Sequence, residues 1–327
     1  MTNYEEILKD VMRYFNKEYP VIPDRVLDRD ANRVIKVYKD TYNRILDYLI
    51  RELSINGDLS GINHNTYMSI MAQIDHMLLA MDEDVRSLMT EVIEKEFVTG
   101  AVYHYAVING VTDIGQIMRD IPFSEINWSK ANQLIEDTME DLLYSTSFTK
   151  KSIKNLVRDT VSKHLQMGAI EGESFKVLKR QIAKDLTAKG LSKTIKSKGF
   201  VGIIDKSGRK WNVLNYVDVV VKTKMQQAYT EGLKEQSLVG GFDLAQIPHK
   251  GAKDHCKNFE GMVISMTGKS KGYYTYDQLK ATNLIFHPRC RHTPVPIHSL
   301  ESLHPDDVAE HRQKMKGIKN LSKKTKK

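Results

Sequence analysis

The first half of the chain repeats apolar side chains every three or four positions, which is the spacing of one face of an α-helix. Asp30 can cap the first turn of one long helix, and Asn56 with Gly57 can end it. A second helix is predicted from Asn65, with a Met-rich stripe that indicates adaptable core packing. Further helices are predicted at 128–144, 152–166 and 174–188. Because strand-like alternation is missing from this sequence, the N-terminal half is predicted to be all-helical.

The pattern changes after Gly199. Two short apolar runs flank Lys206-Ser207-Gly208 and predict a β-hairpin. A helix is predicted from Asn215 to Gly240, followed by three strands in the segments FDLAQIP, MVIS and RHTPVPI. The predicted fold class is therefore α+β, with an all-helical N-terminal half, a smaller α+β domain and a flexible basic C-terminal tail. The predicted domain boundaries are 1–195, 196–300 and 301–327.

Length and composition exclude several classes of protein. The 327 residues are 41% hydrophobic and 28% charged, enough for one large domain or two ordinary ones with real cores. No apolar run approaches the roughly 18 to 20 residues that a membrane-spanning helix needs. The acidic, amphipathic start does not resemble a secretory signal, so we expect the chain to begin near Met1 in a cytoplasm. Two cysteines are too few for a disulfide-dependent scaffold.

The net charge of +8 is distributed unevenly along the chain. Residues 1–149 carry a net charge of −11, residues 150–200 carry +9, residues 201–310 carry +2 and residues 311–327 carry +8. The last segment has few apolar residues, which is typical of a basic arm that binds polyanions without reading base sequence. A solubilising tail explains the same composition equally well. The candidate DNA-contacting residues are Lys314, Lys316, Lys319, Lys323, Lys324, Lys326 and Lys327.

Sulfur and imidazole side chains are concentrated between His249 and His292. Zinc takes four such ligands in a closed tetrahedral site, which can join two loops where the core is small. Cys290 and His292 point the same way in an extended segment, and His287 and Cys256 can approach them from the flanking loops. Two alternatives remain open at this point. The cysteines can be ordinary buried residues, or a Cys-His pair can be catalytic.

Three ordered motifs in residues 200–298 resemble the phage minor capsid proteins, including the Mu F-like head morphogenesis group. The first is a helix with a basic residue, a threonine and a downstream glycine, the second a cysteine five residues before a glycine, and the third a His-Pro-x-Cys-Arg element. Their residues here are Lys222, Thr223 and Gly232, then Cys256 and Gly261, then His287, Pro288, Cys290 and Arg291.

The sequence departs from that family pattern at two positions. Lys222 stands where many relatives have arginine, and Lys253 stands where the first cysteine of a paired C-x-x-C would fall. The missing thiol argues against a four-thiolate site. The remaining candidate is a mixed zinc site made of Cys256, His287, Cys290 and His292.

The resemblance implies a structural virion component without enzymatic activity. Such a protein would lie inside the head near the portal vertex, after assembly in the host cytoplasm, and would support head assembly or genome delivery. Its partners would be the portal protein, facing the acidic helical half, the capsid, and packaged double-stranded DNA contacted without sequence preference. Two alternatives remain. The same C-terminal domain can carry a metal- or cysteine-dependent enzyme, or the chain can bind nucleic acid outside any virion.

Overall fold

A computed structural model describes residues 24–55, 64–111, 113–121, 128–171, 203–204 and 210–324. Its helices are α1 (Asp24–Ile55), α2 (His64–Asn109), α3 (Ile114–Asp120), α4 (Ser129–Glu171), α5 (Val213–Gly240), α6 (Tyr276–Ala281) and α7 (Pro305–Lys324). Its strands are β1 (Ile203–Ile204), β2 (Lys210–Trp211), β3 (Leu244–Gln246), β4 (Val263–Ser265) and β5 (Val295–Pro296). Two short 3-10 helices span His255–Asn258 and Leu300–Ser302. Within the described residues every strand follows the long N-terminal helices, which confirms the predicted α+β class.

The predicted helices differ from the observed ones mainly in length. Helix α1 ends at Ile55, directly before the predicted stop at Asn56. Helix α4 joins the two helices predicted at 128–144 and 152–166, because no glycine or proline separates them. The helix predicted at 174–188 and the domain boundary at 195 lie outside the described residues. None of the described helices combines the length and apolar character needed to cross a membrane.

The chain divides into two compact units. The helical unit consists of residues 28–90 and 136–221. The mixed unit consists of residues 1–27, 91–135 and 222–327. The division is discontinuous along the sequence because α2, α4 and α5 each contribute residues to both units. The three predicted domain ranges remain predictions.

The helical unit buries the apolar stripes that the sequence predicts. Its fully buried large side chains include Tyr38, Tyr42, Ile45, Leu49, Ile74, Leu78, Met81 and Met89. Helices α2 and α4 run antiparallel here. Arg86 Nη1 lies 2.6 Å from Glu136 Oε1, and Lys154 Nζ lies 3.2 Å from Asp75 Oδ2. The Arg86–Glu136 pair is solvent-exposed and the Lys154–Asp75 pair is half-buried, so both add little to stability beside the buried stripes.

The mixed unit is organised around a close crossing of α2 and α5 at two glycines. A Cβ atom added to Gly100 would stand 1.9 Å from the backbone oxygen of Tyr229, and one added to Gly232 would stand 1.9 Å from that of Phe97. The backbones therefore touch, and each helix needs a residue without a side chain at the crossing. The crossing gives a physical reason for glycine at position 232.

Three short antiparallel strands form the sheet of the mixed unit in the order β4-β3-β5. In the register Ala245 lies opposite Ile264 on one side and Pro296 on the other. These segments are the three strands predicted from the sequence. The apolar core beside them is shared by helices and loops, and both cysteines belong to it. The core includes Tyr103, Tyr229, Leu233, Ile247, Phe259, Met262, Ile264, Tyr276, Ile285, Cys256 and Cys290.

In the C-terminal segment, residues 305–324 form helix α7. The backbone N–H of Val263 donates to Nδ1 of His311 at 3.0 Å, and the His311 ring stacks on Tyr273. Nε2 of His249 lies 3.0 Å from Oε2 of Glu310. The charge composition does not predict this docking, because only a few side chains anchor the helix and they come before its basic end.

Candidate metal centre

Cys256 sits on a 3-10 helix whose start is fixed by Asp254. The backbone N–H of Cys256 donates to Oδ1 of Asp254 at 3.0 Å, so the carboxylate caps the turn. Phe259 N–H donates to the carbonyl of Cys256 at 2.9 Å and closes the turn. This local structure holds the buried Cys256 thiol in the apolar core of the mixed unit.

His287 and Cys290 lie at the two ends of a tight turn. Cys290 N–H donates to the carbonyl of His287 at 2.8 Å, across Pro288 and Arg289. Proline at the second position favours such a turn, and Arg289 has a φ of 65°, which turns of this kind need at the third. The His-Pro-x-Cys motif therefore brings an imidazole and a thiol close together.

The structure places Cys256, His287 and Cys290 in one group, with one ligand atom from each residue within 4.8 Å of the others. Cys256 Sγ lies 3.3 Å from His287 Nε2 and 3.8 Å from Cys290 Sγ. His287 Nδ1 lies 2.9 Å from the carbonyl oxygen of Pro288, which can only accept a hydrogen bond. A proton on Nδ1 would donate to this carbonyl and leave the lone pair of Nε2 for a metal, as a ligating histidine requires.

These distances fit a tetrahedral zinc ion. With zinc–sulfur bonds of about 2.3 Å and zinc–nitrogen bonds of about 2.0 Å, two sulfurs on one ion stand about 3.8 Å apart, and sulfur and nitrogen about 3.5 Å apart. The observed separations of 3.8 Å and 3.3 Å lie close to these values. The donor set of two thiols and one imidazole is also the kind that zinc prefers.

His292, the fourth predicted ligand, contacts only part of this group. Its Nδ1 lies 3.4 Å from Cys290 Sγ, while its Nε2 lies 2.9 Å from Oε1 of Glu260. The Glu260 carboxylate also accepts hydrogen bonds from the backbone N–H groups of Lys250 and Ala252. His292 does not belong to the group that lies within 4.8 Å. The four-ligand set of the sequence therefore remains a prediction, with three members brought together.

The site has a distinct electrostatic pattern. Burial, the neighbouring Cys290 and Asp254 all raise the pKa of the Cys256 thiol. Burial would also raise the pKa of Cys290, but contacts with His292 outweigh it and lower that pKa. Burial likewise opposes ionisation of Glu260, yet hydrogen bonds from His292 and two backbone N–H groups bring its pKa down to about 2. Glu260 is thus ionised at neutral pH.

The series Cys290, His292 and Glu260 has the order of thiol, imidazole and carboxylate that a cysteine active site uses. The structure supplies the orienting carboxylate that the sequence did not reveal. However, Cys290 is only 4% exposed and His292 only 5% exposed. A nucleophilic sulfur needs access for its substrate, and this degree of burial favours a binding or structural role for these groups.

The lysines predicted to contact DNA lie on or beyond α7. Lys316 is exposed, and Lys319, Lys323 and Lys324 follow it on the same helix. Lys326 and Lys327 lie outside the described residues. Lys314 has a structural role, since its ammonium lies 2.8 Å from Oε1 of Glu310 and also contacts the backbone oxygens of Lys257 and Glu260.

Sequence reasoning missed Asp254 and Glu260. Asp254 had a usable signal, because an aspartate two residues before a cysteine can cap a turn that positions the thiol. Glu260 had none, since its partners are backbone N–H groups eight and ten residues earlier and an imidazole 32 residues later. Only the three-dimensional fold brings these donors to one carboxylate.

Comparison with known proteins gives one family. The family model described as Phage minor capsid protein 2 matches residues 22–327. No curated protein and no solved structure matches the chain. The matched residues include all of the helical unit, most of the mixed unit and the metal-ligand group, well over half of the sequence. The chain belongs to the phage minor capsid protein 2 family.

Proposed function

We propose that this minor capsid protein lies inside the phage head near the portal vertex, where it contacts packaged DNA and supports head assembly or genome delivery. The family assignment, which covers nearly the whole chain, carries the proposal. The acidic N-terminal half offers the portal a protein-facing surface, and two basic segments offer phosphate contacts. Assembly in the host cytoplasm precedes this location.

The DNA contact is assigned to the basic end of α7. The first turns of this helix are held to the mixed unit by Glu310, His311 and Lys314. Beyond them Lys316, Lys319, Lys323 and Lys324 follow along the same helix. An anchored row of lysines neutralises phosphates without reading base sequence. Lys314 is left out of this contact because its ammonium binds within the protein.

Salt-dependent binding of duplex DNA tests this assignment. Replacing Lys319, Lys323 and Lys324 with glutamine keeps the docking residues and removes three charges. The slope of log K against log salt is expected to fall by about 2 to 3, because each lost phosphate contact contributes about 0.9. A matched triple variant at Lys36, Lys39 and Lys130, which are exposed in the acidic half, is expected to bind as the unaltered chain does. If the two triple variants show equal slopes of log K against log salt, the proposed contact between α7 and DNA is wrong.

The virion role has its own test. Mass spectrometry of purified particles is expected to detect this chain at a low and fixed ratio to the portal protein. Crosslinking in those particles is expected to join lysines of the acidic half to the portal. Normal infectious particles assembled without the chain contradict the role, whatever its affinity for DNA.

We further propose that the group formed by Cys256, His287 and Cys290 holds a structural zinc ion. Zinc would join the 3-10 helix at Cys256 to the loop before β5, in a unit whose strands have only two or three residues. Such short elements bury little apolar surface, and a metal compensates for that deficit. The sulfur–sulfur and sulfur–nitrogen distances match those around zinc, and the hydrogen bond at Nδ1 of His287 leaves Nε2 for the ion. Elemental analysis of reduced, purified protein is expected to find one zinc per chain, lost in the Cys290→Ser variant.

A further inference from the structure

The three-residue metal group leaves one position of a tetrahedron to fill, and Asp254 is the acidic residue beside it. Asp254 Oδ2 lies 3.4 Å from His287 Nε2. The same carboxylate interacts with the Cys256 side chain. Asp254 thus faces two of the three members of the group, whereas His292 contacts only Cys290; neither residue belongs to the set that lies within 4.8 Å.

The separation between Asp254 and His287 suits two ligands on one ion. Oxygen and nitrogen ligands at about 2.0 to 2.1 Å from a tetrahedral zinc stand about 3.3 to 3.4 Å apart. Oδ1 of Asp254 is occupied by the backbone N–H of Cys256. That hydrogen bond orients the carboxylate so that Oδ2 lies on the side of the imidazole.

Asp254 and His292 also differ in their freedom to complete the site. The Asp254 side chain is 56% exposed, so a small rotation can bring Oδ2 to the ion, and the same exposure gives the ion an entry path. The His292 side chain is 5% exposed and is held at both ring nitrogens, by Glu260 and by Cys290. Moving its ring onto the ion would separate it from a buried carboxylate.

We propose that Asp254 is the fourth zinc ligand, giving a site of two cysteines, one histidine and one aspartate, and that His292 positions the Cys290 sulfur from outside the coordination sphere. The inference rests on the zinc site proposed above. Asp254 thereby replaces His292, the fourth ligand predicted from the sequence. The fourth coordination position then lies at the surface of the mixed unit.

Cobalt(II) titration of the full-length, reduced protein tests the assignment, because cobalt reports coordination number and thiolate ligands in its visible spectrum. The unaltered chain is expected to give a tetrahedral spectrum with thiolate charge-transfer bands. Asp254→Cys is expected to retain that geometry and to strengthen those bands by adding a third thiolate. Asp254→Ala is expected to weaken binding at least about 100-fold, more than the usual loss of an outer-shell partner.

Two further variants separate coordination from local structure. Asp254→Asn keeps a side-chain oxygen to cap the turn but is a poorer ligand, so it is expected to weaken binding with little change in the unfolding midpoint of the metal-free protein. His292→Ala is expected to keep a four-coordinate spectrum. Asp306→Asn removes an exposed carboxylate on α7, away from the group, and is expected to change nothing.

The outcomes distinguish this inference from the zinc proposal. Failure of the unaltered chain to bind cobalt or zinc overturns both. A tetrahedral spectrum that survives all three Asp254 substitutions but is lost in His292→Ala overturns only the fourth-ligand assignment and leaves the zinc site standing. Unchanged charge-transfer intensity in Asp254→Cys, with metal bound, also overturns the assignment.

Discussion

The two compact units are stabilised in different ways. The helical unit buries long apolar stripes, including Tyr38, Ile45 and Met81. Its Arg86–Glu136 pair lies in solvent, whereas the carboxylate of Asp30 is buried at 0% exposure. The mixed unit has short strands and irregular loops, and it buries charged and polar groups such as Glu260 and Asp243 among its apolar residues. Long helices satisfy most of their own backbone hydrogen bonds, whereas loops need side chains to do so. Removing a buried carboxylate that binds loop backbone in the mixed unit should therefore cost far more than removing an exposed carboxylate in the helical unit.

Asp243 illustrates this difference within the mixed unit. Its carboxylate accepts hydrogen bonds from the backbone N–H groups of Thr267 and Ser270 and from the hydroxyls of Ser265 and Thr267. Burial would raise the pKa of Asp243, but these donors lower it. One ionised side chain thus binds the last residue of β4 and two residues of the loop that follows it.

The largest expected effect comes from removing Glu260. Glu260→Ala leaves the N–H groups of Lys250 and Ala252 and the ring of His292 without their acceptor inside the unit. Loss of one partner of a buried ionic network costs about 3 to 5 kcal/mol. Hydrogen exchange of peptides from residues 244–296, with a chelator present so that metal loss does not contribute, measures the change in opening free energy.

The matched control is Glu136→Ala in the helical unit. Glu136 is paired with Arg86, but its side chain is 67% exposed. Its loss is expected to leave exchange in α2 and α4 unchanged within error. Equal losses for the two glutamates would remove the distinction between the units.

A smaller effect is expected at the helix crossing of the mixed unit. Gly232→Ala forces a Cβ atom against the backbone oxygen of Phe97, and a backbone atom cannot move aside as a flexible side chain can. The helices must separate, at a cost of about 2 to 3 kcal/mol. Gly240→Ala is the control, because an added Cβ there meets only Phe242 Cδ2 at 3.9 Å. Chemical denaturation compares the two, and equal stability would contradict the close crossing.

The sequence predicted the helices and strands well and the site only in part. Helical spacing predicted α1 because the residues that recur along it, such as Val34 and Leu49, are the ones it buries. Cys256, His287 and Cys290 were predicted together because zinc chemistry selects few residue types. The roles of Glu260 and Lys314 could not be predicted, since their partners are mainly backbone groups that only the fold brings near, whereas the local cap that Asp254 forms on the turn of Cys256 was predictable. The docking of α7 was missed for the same reason.

The smallest of these effects concerns pH and is expected to arise in the mixed unit. His104 is 1% exposed, and its Nε2 lies 3.0 Å from the carbonyl oxygen of Phe242. Burial lowers the pKa of His104 to about 4, although the hydrogen bond to Phe242 opposes this shift. The unfolded chain takes up the proton near pH 6.5 and the folded chain only near pH 4, so stability is full above pH 6.5 and falls as the pH drops toward 4.

Thermal unfolding across this pH range is expected to show a loss of about 2 kcal/mol from His104. His104→Gln keeps an amide donor for the Phe242 carbonyl but does not titrate, so it is expected to flatten the profile between pH 6.5 and 4. His311, whose pKa is also lowered by burial and by Arg312, accounts for part of any remaining slope. An unchanged profile in His104→Gln would mean that the buried imidazole does not control the acid sensitivity of the mixed unit. Acid sensitivity would then have to come from His311 or from the carboxylates, and a carboxylate origin would place its midpoint lower, near the depressed pKa of Glu260.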